Sequence, residues 1–202
     1  MTLMPRLVTA TLLGASLLAS QTALAFEAGD FYVRGGIAQS EPRSNNGDVA
    51  GERLDIANER GFTYGLGYMF YGNLGVELSG SEKFEHDLTL GGDAIGSIDR
   101  MPINLMVNYY PMGSLDSRVQ PYVGAGLNYT RFSGEPEGLD ARRSYGAVGQ
   151  VGVDLAITDN LLLNGSVNYA DVETRLSTTD GERLGTAKVD PVTIGGGITL
   201  RF

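Results

Sequence analysis

The sequence has no cysteine and no tryptophan, and His86 is its single histidine. A chain without cysteine cannot form disulfides or the cysteine-rich zinc sites of small domains. Acidic side chains outnumber basic ones by 24 to 15, giving a net charge of −9. That balance excludes the basic surface that binds nucleic-acid phosphates. The composition therefore predicts neither a metal or other cofactor nor a nucleic-acid partner.

An apolar run long enough to span a membrane as a helix is also absent. The chain begins with a short basic region at Arg6, followed by an apolar region over residues 7–18 and the triplet Ala-Leu-Ala at residues 23–25. These three parts in this order are typical of a secretory signal peptide. We predict that residues 1–25 are cleaved off and that residues 26–202 form a single domain.

What the sequence does contain is alternation between large apolar residues and small or polar ones, which is typical of β-strands. In residues 62–70, every second residue is a large apolar one, and the residues between them are mostly small. The large residues of that segment are Phe62, Tyr64, Leu66, Tyr68 and Phe70. The same alternation recurs in seven further segments, at residues 31–39, 74–81, 102–110, 120–131, 144–157, 161–170 and 191–202.

The large apolar positions identified in these segments carry no charge, because the charged residues of the strands fall on the opposite face. Lipid enforces such a partition, since a charge near the bilayer midplane costs about 2–4 kcal/mol. Aromatic residues occur at both ends of the apolar face, as expected for the two membrane interfaces. One rim is predicted to contain Phe31, Tyr68, Phe70, Tyr109 and Phe202, and the other Phe62, Tyr64, Tyr129, Tyr145 and Tyr169.

Three short turns alternate with four longer polar segments, at residues 40–61, 82–101, 132–143 and 171–190. Short periplasmic turns and long extracellular loops are typical of bacterial outer-membrane barrels. The sequence therefore predicts an all-β fold, an eight-stranded antiparallel transmembrane β-barrel in the outer membrane of a Gram-negative bacterium. Its surroundings would be outer-membrane lipids and lipopolysaccharide.

The lumen of an eight-stranded barrel is just wide enough for side chains or one small ligand. Six apolar residues are predicted to face inward: Met69, Met106, Tyr110, Tyr122, Val148 and Leu162. They either line a path for an apolar ligand or simply fill the barrel. The inward charges are Arg34, Glu77, Asp154 and Arg201. We expect these four to form an ionic network, because buried charges must be paired.

Three stretches carry more specific patterns: Phe31–Gly36, Met101–Met106 and, most clearly, Pro121–Thr130. Together with shorter stretches elsewhere, they resemble the OmpW family of small outer-membrane barrels. The terminal Phe202 also resembles the signal that the barrel assembly machinery recognises. The family resemblance implies a narrow channel for passive uptake of small hydrophobic molecules. In that route, the ligand enters from the extracellular end and leaves sideways through the barrel wall.

Two other functions remain open at this point. The barrel could be an envelope-structural protein, or an adhesion or receptor protein that acts through its extracellular loops. A lipid-modifying enzyme could use His86 with a nearby serine such as Ser79 or Ser81 and an acid such as Glu85 or Asp87. The sequence shows no spacing typical of an activated nucleophile, so we predict that the protein is not an enzyme.

Overall fold

The computed structural model describes residues 26–43, 46, 48–49, 52–113, 115, 117–133, 139–141, 143–178 and 183–202. The predicted signal peptide, residues 1–25, lies outside these residues. Within the described part of the chain no helix is long and apolar enough to cross a membrane. The described strands are β1 (Phe31–Glu41), β2 (Asp48–Val49), β3 (Glu52–Ile56), β4 (Glu59–Tyr71), β5 (Leu74–Ser81), β6 (Phe84–Leu90), β7 (Asp93–Tyr109), β8 (Val119–Ser133), β9 (Leu139–Ala141), β10 (Ser144–Ala156), β11 (Leu161–Ala170), β12 (Glu173–Thr178), β13 (Arg183–Lys188) and β14 (Val192–Arg201).

Eight of these strands close into an antiparallel barrel, in the order β1, β4, β5, β7, β8, β10, β11 and β14. The first and last strands of the chain join the ends, with Gly36 of β1 opposite Gly197 of β14. A Cβ at Gly36 would lie 2.4 Å from the carbonyl oxygen of Gly196, so this seam needs glycine for its close backbone approach. Closure pairs the backbone groups that lipid cannot satisfy. The predicted eight-stranded barrel is confirmed.

The outer surface of the barrel is apolar between two aromatic rims. Leu66, midway along β4, is 60% exposed, and Leu127 on β8 is 69% exposed. The aromatic residues predicted for the rims occupy outward-facing positions on the strands. The charge-free face ends at the extracellular rim, where Arg131 also points outward beyond Tyr129. The sequence pattern thus identified the lipid-facing side of the wall, whereas the length of its strands was visible only in the structure.

The four segments predicted as polar loops contain strands, which is the main difference from the sequence interpretation. Strand β7 runs for 17 residues, and its first half pairs with β6 above the barrel. Short strands in the other loops continue this sheet. Apolar residues scattered through the loops meet only when the loops come together, so no single segment reveals the cluster. The buried loop-side residues are Leu54, Leu88, Ile98, Phe132, Val172 and Val189.

Candidate functional site in the barrel lumen

The centre of the lumen is crossed by ion pairs around Arg34. Its Nη1 lies 2.7 Å from Oε2 of Glu77, and its Nη2 lies 2.8 Å from Oδ2 of Asp154. These residues come from β1, β5 and β10, and the two-residue period of each strand directs their side chains inward. The side chains of Glu77 and Asp154 are only 3% and 0% exposed, so a single guanidinium forms ion pairs with two carboxylates that lie out of water.

Neutral side chains satisfy the remaining hydrogen-bonding positions of the two carboxylates. Glu77 accepts hydrogen bonds from the Tyr32 hydroxyl at 2.9 Å and from the Asn108 amide at 3.1 Å. Asp154 accepts a hydrogen bond from the Asn164 amide at 2.9 Å. A Cβ at Gly67 would overlap the ring of Tyr32, so a residue without a side chain is required beside it. A network satisfied in this way fixes the lumen in one arrangement.

The described contacts of Arg201 lie apart from the Arg34 network, so its predicted membership of that network stays a prediction. Its guanidinium donates to the backbone carbonyl of Asp159 and lies 3.9 Å from the carboxylate of Asp30. It also lies 5.8 Å from the ring centre of Phe26. The reason is position along the strand. Arg201 is the last residue of β14, so its side chain is at the periplasmic mouth rather than at the centre of the lumen.

The periplasmic end of the lumen is closed by aromatic and apolar side chains. Phe26, the first residue after the predicted cleavage site, is fully buried there. Its ring centre lies 5.4 Å from that of Tyr32 and 4.9 Å from that of Tyr110. The segment after it is held to the barrel wall, since the Gly29 N–H donates to the Met69 carbonyl at 2.7 Å. Phe26 and the side chains packed around it therefore form a plug at this end.

The six residues predicted to line an apolar path are all buried within the barrel. Met69, Tyr110, Tyr122 and Leu162 pack with Phe26 at the closed periplasmic end. Met106 and Val148 belong instead to the apolar cluster that continues upward to the loops. Four of the six residues therefore fill the periplasmic end of the lumen, and a role of all six in a ligand path stays a prediction.

A chamber remains between the Arg34 network and the loop cluster. Its volume is about 90 Å³, enough for a few water molecules. The floor includes Arg34 and Glu77, and the upper part includes Phe84 and Arg100. Its walls are mixed in polarity, and Val148 is the only member of the predicted apolar path that lines it. Sequence analysis missed Arg100, which lay within a segment interpreted as a loop.

The barrel wall beside this chamber has a break between β5 and β7. Regular pairing ends with Gly80 opposite Ile103 and resumes with Phe84 opposite Arg100, where β6 replaces β5. Pro102 lies in the break and has no backbone N–H. A Cβ at Gly80 would lie 3.1 Å from the Pro102 carbonyl oxygen, so the backbone of Pro102 faces β5. Separation of β5 and β7 at the break would therefore disrupt few backbone hydrogen bonds.

Comparison with known proteins agrees with this architecture. Residues 27–202 match the model of the OmpW family. The chain belongs to the OmpW family. It is 35% identical to outer membrane protein W of Salmonella typhi, with 91% of this chain and 93% of the relative aligned.

Solved structures of OmpW-type proteins share the fold. The crystal structure of OprG from Pseudomonas aeruginosa matches with a TM-score of 0.82 at 28% identity, covering 88% of this chain and 98% of OprG. The solution structure of Escherichia coli outer membrane protein W matches with a TM-score of 0.62 at 31% identity, covering 87% and 99% of the two chains. This OmpW-family barrel is accordingly an outer-membrane protein of a Gram-negative bacterium, and it lies among outer-membrane lipids and lipopolysaccharide.

Phe202 lies on the outside of this OmpW-family barrel at the periplasmic rim. Its side chain is 72% exposed. Its backbone N–H donates to the carbonyl of Phe31 at 2.8 Å, so the last residue takes part in the seam between the chain ends. Its role as a signal for the assembly machinery stays a prediction.

The closed periplasmic end has a direct electrical consequence. We expect the purified protein in planar bilayers to carry no steady ion current along the barrel axis, because the plug and the Arg34 network fill the lumen. The measurement is single-channel conductance in a simple potassium salt, with a known wide porin in the same bilayer as control. A stable ohmic conductance from the native protein would contradict an axially closed lumen.

Proposed function

We propose that this OmpW-family barrel carries small hydrophobic molecules passively across the outer membrane. The ligand enters from the extracellular end, reaches the chamber and leaves sideways through the wall between β5 and β7. The observation that carries this proposal is the contrast between the two possible exits. The axial exit is filled by Phe26 and its neighbours, whereas the wall beside the chamber is interrupted at Pro102.

Sideways release suits an apolar ligand for thermodynamic reasons. The break leads from the chamber to the hydrocarbon of the bilayer, where an apolar molecule is more stable than in water. A molecule without an apolar part would gain nothing from this exit. No energy source or cofactor is needed, because the ligand moves down its own concentration gradient.

Passage requires movement of the wall or the loops. The chamber volume of about 90 Å³ is well below the roughly 300–1,000 Å³ of ordinary ligand pockets. The loop strands contact one another largely through short ladders. The pairing of β2 with β13, for example, consists of Gly185 opposite Val49. Short ladders are inexpensive to open, so the extracellular side can admit a ligand while the barrel stays closed to ions.

The proline at the break provides the experiment. We expect Pro102→Ala to slow uptake, because alanine supplies a backbone N–H that faces β5 and allows the two strands to pair further. Pro121→Ala is the matched control, since Pro121 also lies within a barrel strand but opposite Val153 of β10, away from the break. Uptake is measured with the fluorescent apolar probe N-phenyl-1-naphthylamine in cells lacking or expressing each variant.

Wild-type protein should raise the rate of probe uptake over cells that lack it, and Pro121→Ala should do the same. Equal uptake with and without the wild-type protein would overturn the transport proposal itself. Normal transport by Pro102→Ala would leave transport standing and overturn the exit between β5 and β7.

A further inference from the structure

Arg100 is a buried cation without a described ion-pair partner. The residue is only 2% exposed. One of its terminal nitrogens, Nη2, donates to the Ser40 hydroxyl at 2.6 Å, and the guanidinium lies 5.3 Å from the ring centre of Phe84. Its Nε is buried and has no hydrogen-bond partner in the part of the chain that the structure describes. Among the described residues, no carboxylate forms an ion pair with it.

This arrangement differs from that of the other luminal arginine. Arg34 lies between Glu77 and Asp154, as expected for a charge held away from water. Burial of a guanidinium beside only a hydroxyl and a ring leaves much of its lost hydration uncompensated. The side chain also lines the chamber. A binding site for an anion would have these properties before the anion arrives.

The surroundings of Arg100 offer further hydrogen-bond donors at the same level of the barrel. Ser40 of β1 is opposite Thr193 of β14, which is in turn opposite Asn168 of β11. Thr193 and Asn168 both line the chamber. Glu59, which is opposite Ser40 on the other side, accepts at Oε2 from the Arg60 backbone N–H at 2.9 Å and is not among the described ion-pair partners of Arg100.

The charges along the lumen would hold an anion at this level. The Arg34 network, which lies below Arg100, contains two carboxylates for one guanidinium and therefore repels an anion that enters the chamber. Arg100, which lies above the network, attracts the same anion. The break in the wall begins at the residues next to Arg100 in sequence, and Phe84, Pro102 and Val148 give the chamber an apolar side.

We infer that Arg100 binds the carboxylate of an organic acid whose apolar tail points toward the wall break. The site thus selects monocarboxylates with apolar tails from among small hydrophobic molecules. The choice of substrate class rests on the proposed transport function, but binding of the carboxylate at Arg100 does not. Guanidinium groups suit this ligand because they bind carboxylates through two parallel hydrogen bonds.

The test is direct binding of hexanoate, with 1-hexanol as its neutral counterpart. The mature protein is placed in nanodiscs of zwitterionic phosphatidylcholine, and carboxyl-labelled hexanoate is titrated by ¹³C NMR against empty nanodiscs. Arg100→Gln should weaken hexanoate binding about tenfold or more, since charged hydrogen bonds are lost. Binding of 1-hexanol should change little.

Arg131→Gln is the matched control. Arg131 lies opposite Met101, the neighbour of Arg100, but points out of the barrel. This variant should bind hexanoate like the wild type. Arg100→Lys keeps the positive charge but loses the planar fork, so its affinity should fall between those of the wild type and Arg100→Gln. Heat-modified mobility on gels checks that each variant is folded, and Arg100→Lys provides the test if Arg100→Gln does not fold.

Equal hexanoate affinity in wild type, Arg100→Gln and Arg100→Lys would overturn the inference, as would binding of hexanoate no tighter than to empty nanodiscs. Binding of 1-hexanol alone would also overturn it while leaving the transport proposal intact. Arg100-dependent binding of hexanoate by a protein that fails to raise probe uptake would support the anion site and contradict the transport proposal.

Discussion

Arg34→Ala should reduce the free energy of unfolding by about 3–5 kcal/mol. The substitution leaves Glu77 and Asp154 buried together without their shared cation, and their side chains are 3% and 0% exposed. Removal of one charge from a buried ionic group lowers stability by far more than the intact group contributes, because the remaining charges cannot regain water. The measurement is reversible urea unfolding in lipid vesicles, followed by the loss of β-structure.

Two comparisons identify the cause of that loss. Arg60→Ala removes an exposed arginine that bonds Gln39 on the barrel surface, and it should change stability by less than about 1 kcal/mol. The triple variant Arg34→Ala, Glu77→Gln, Asp154→Asn removes the cation and both negative charges, and it should recover part of the lost stability. A loss that is equally large in the triple variant would show that packing, rather than uncompensated charge, is responsible.

Leu66→Arg should reduce the free energy of unfolding by about 2–4 kcal/mol. Leu66 lies on the outside of β4, midway between the aromatic rims, and is 60% exposed to the surrounding lipid. In water such an exposed leucine would tolerate a charge, so the expected loss is specific to the bilayer. The same vesicle unfolding measurement applies.

Tyr71→Arg is the matched control, because Tyr71 has a similar exposure of 63% but lies at the periplasmic end of the same strand. A charge near the interface should cost about 0–1 kcal/mol. Equal losses at both positions would contradict the placement of the bilayer between the two rims. A loss that is larger at Tyr71 would place the midplane nearer the periplasmic end.

Arg34 and Arg100 both lie in the lumen, but we assign them different roles. Arg34 is satisfied by protein carboxylates and closes the lumen, whereas Arg100 is left for a ligand and lies beside the break in the wall. Closure and binding thus occur at different levels of one narrow barrel. In the proposed function, this separation would let a small molecule enter without ion conduction along the barrel axis.

The sequence by itself determined the barrel and the face of each strand. Alternation with a period of two is a local property, so Phe62 to Phe70 could be assigned to the outside from their neighbours alone. Closure into eight strands followed from the number of segments and the alternating lengths of their connections. The charged residues Arg34, Glu77 and Asp154 could be assigned to the lumen for the same local reason.

Only the tertiary structure decided how far along the barrel each inward residue lies. The stagger between strands places Arg34 beside Glu77 and Asp154 but leaves Arg201 at the periplasmic mouth. Phe26 gave no periodic signal because it precedes the first strand, and its burial depends on the open end of a completed barrel. The surroundings of Arg100 and Pro102 depend on tertiary structure, because β6 replaces β5 beside them and other strands complete the chamber that they line. Contacts between distant strands leave no local pattern, so the wall and its inward-facing residues could be predicted from the sequence, whereas the contacts among those residues could not.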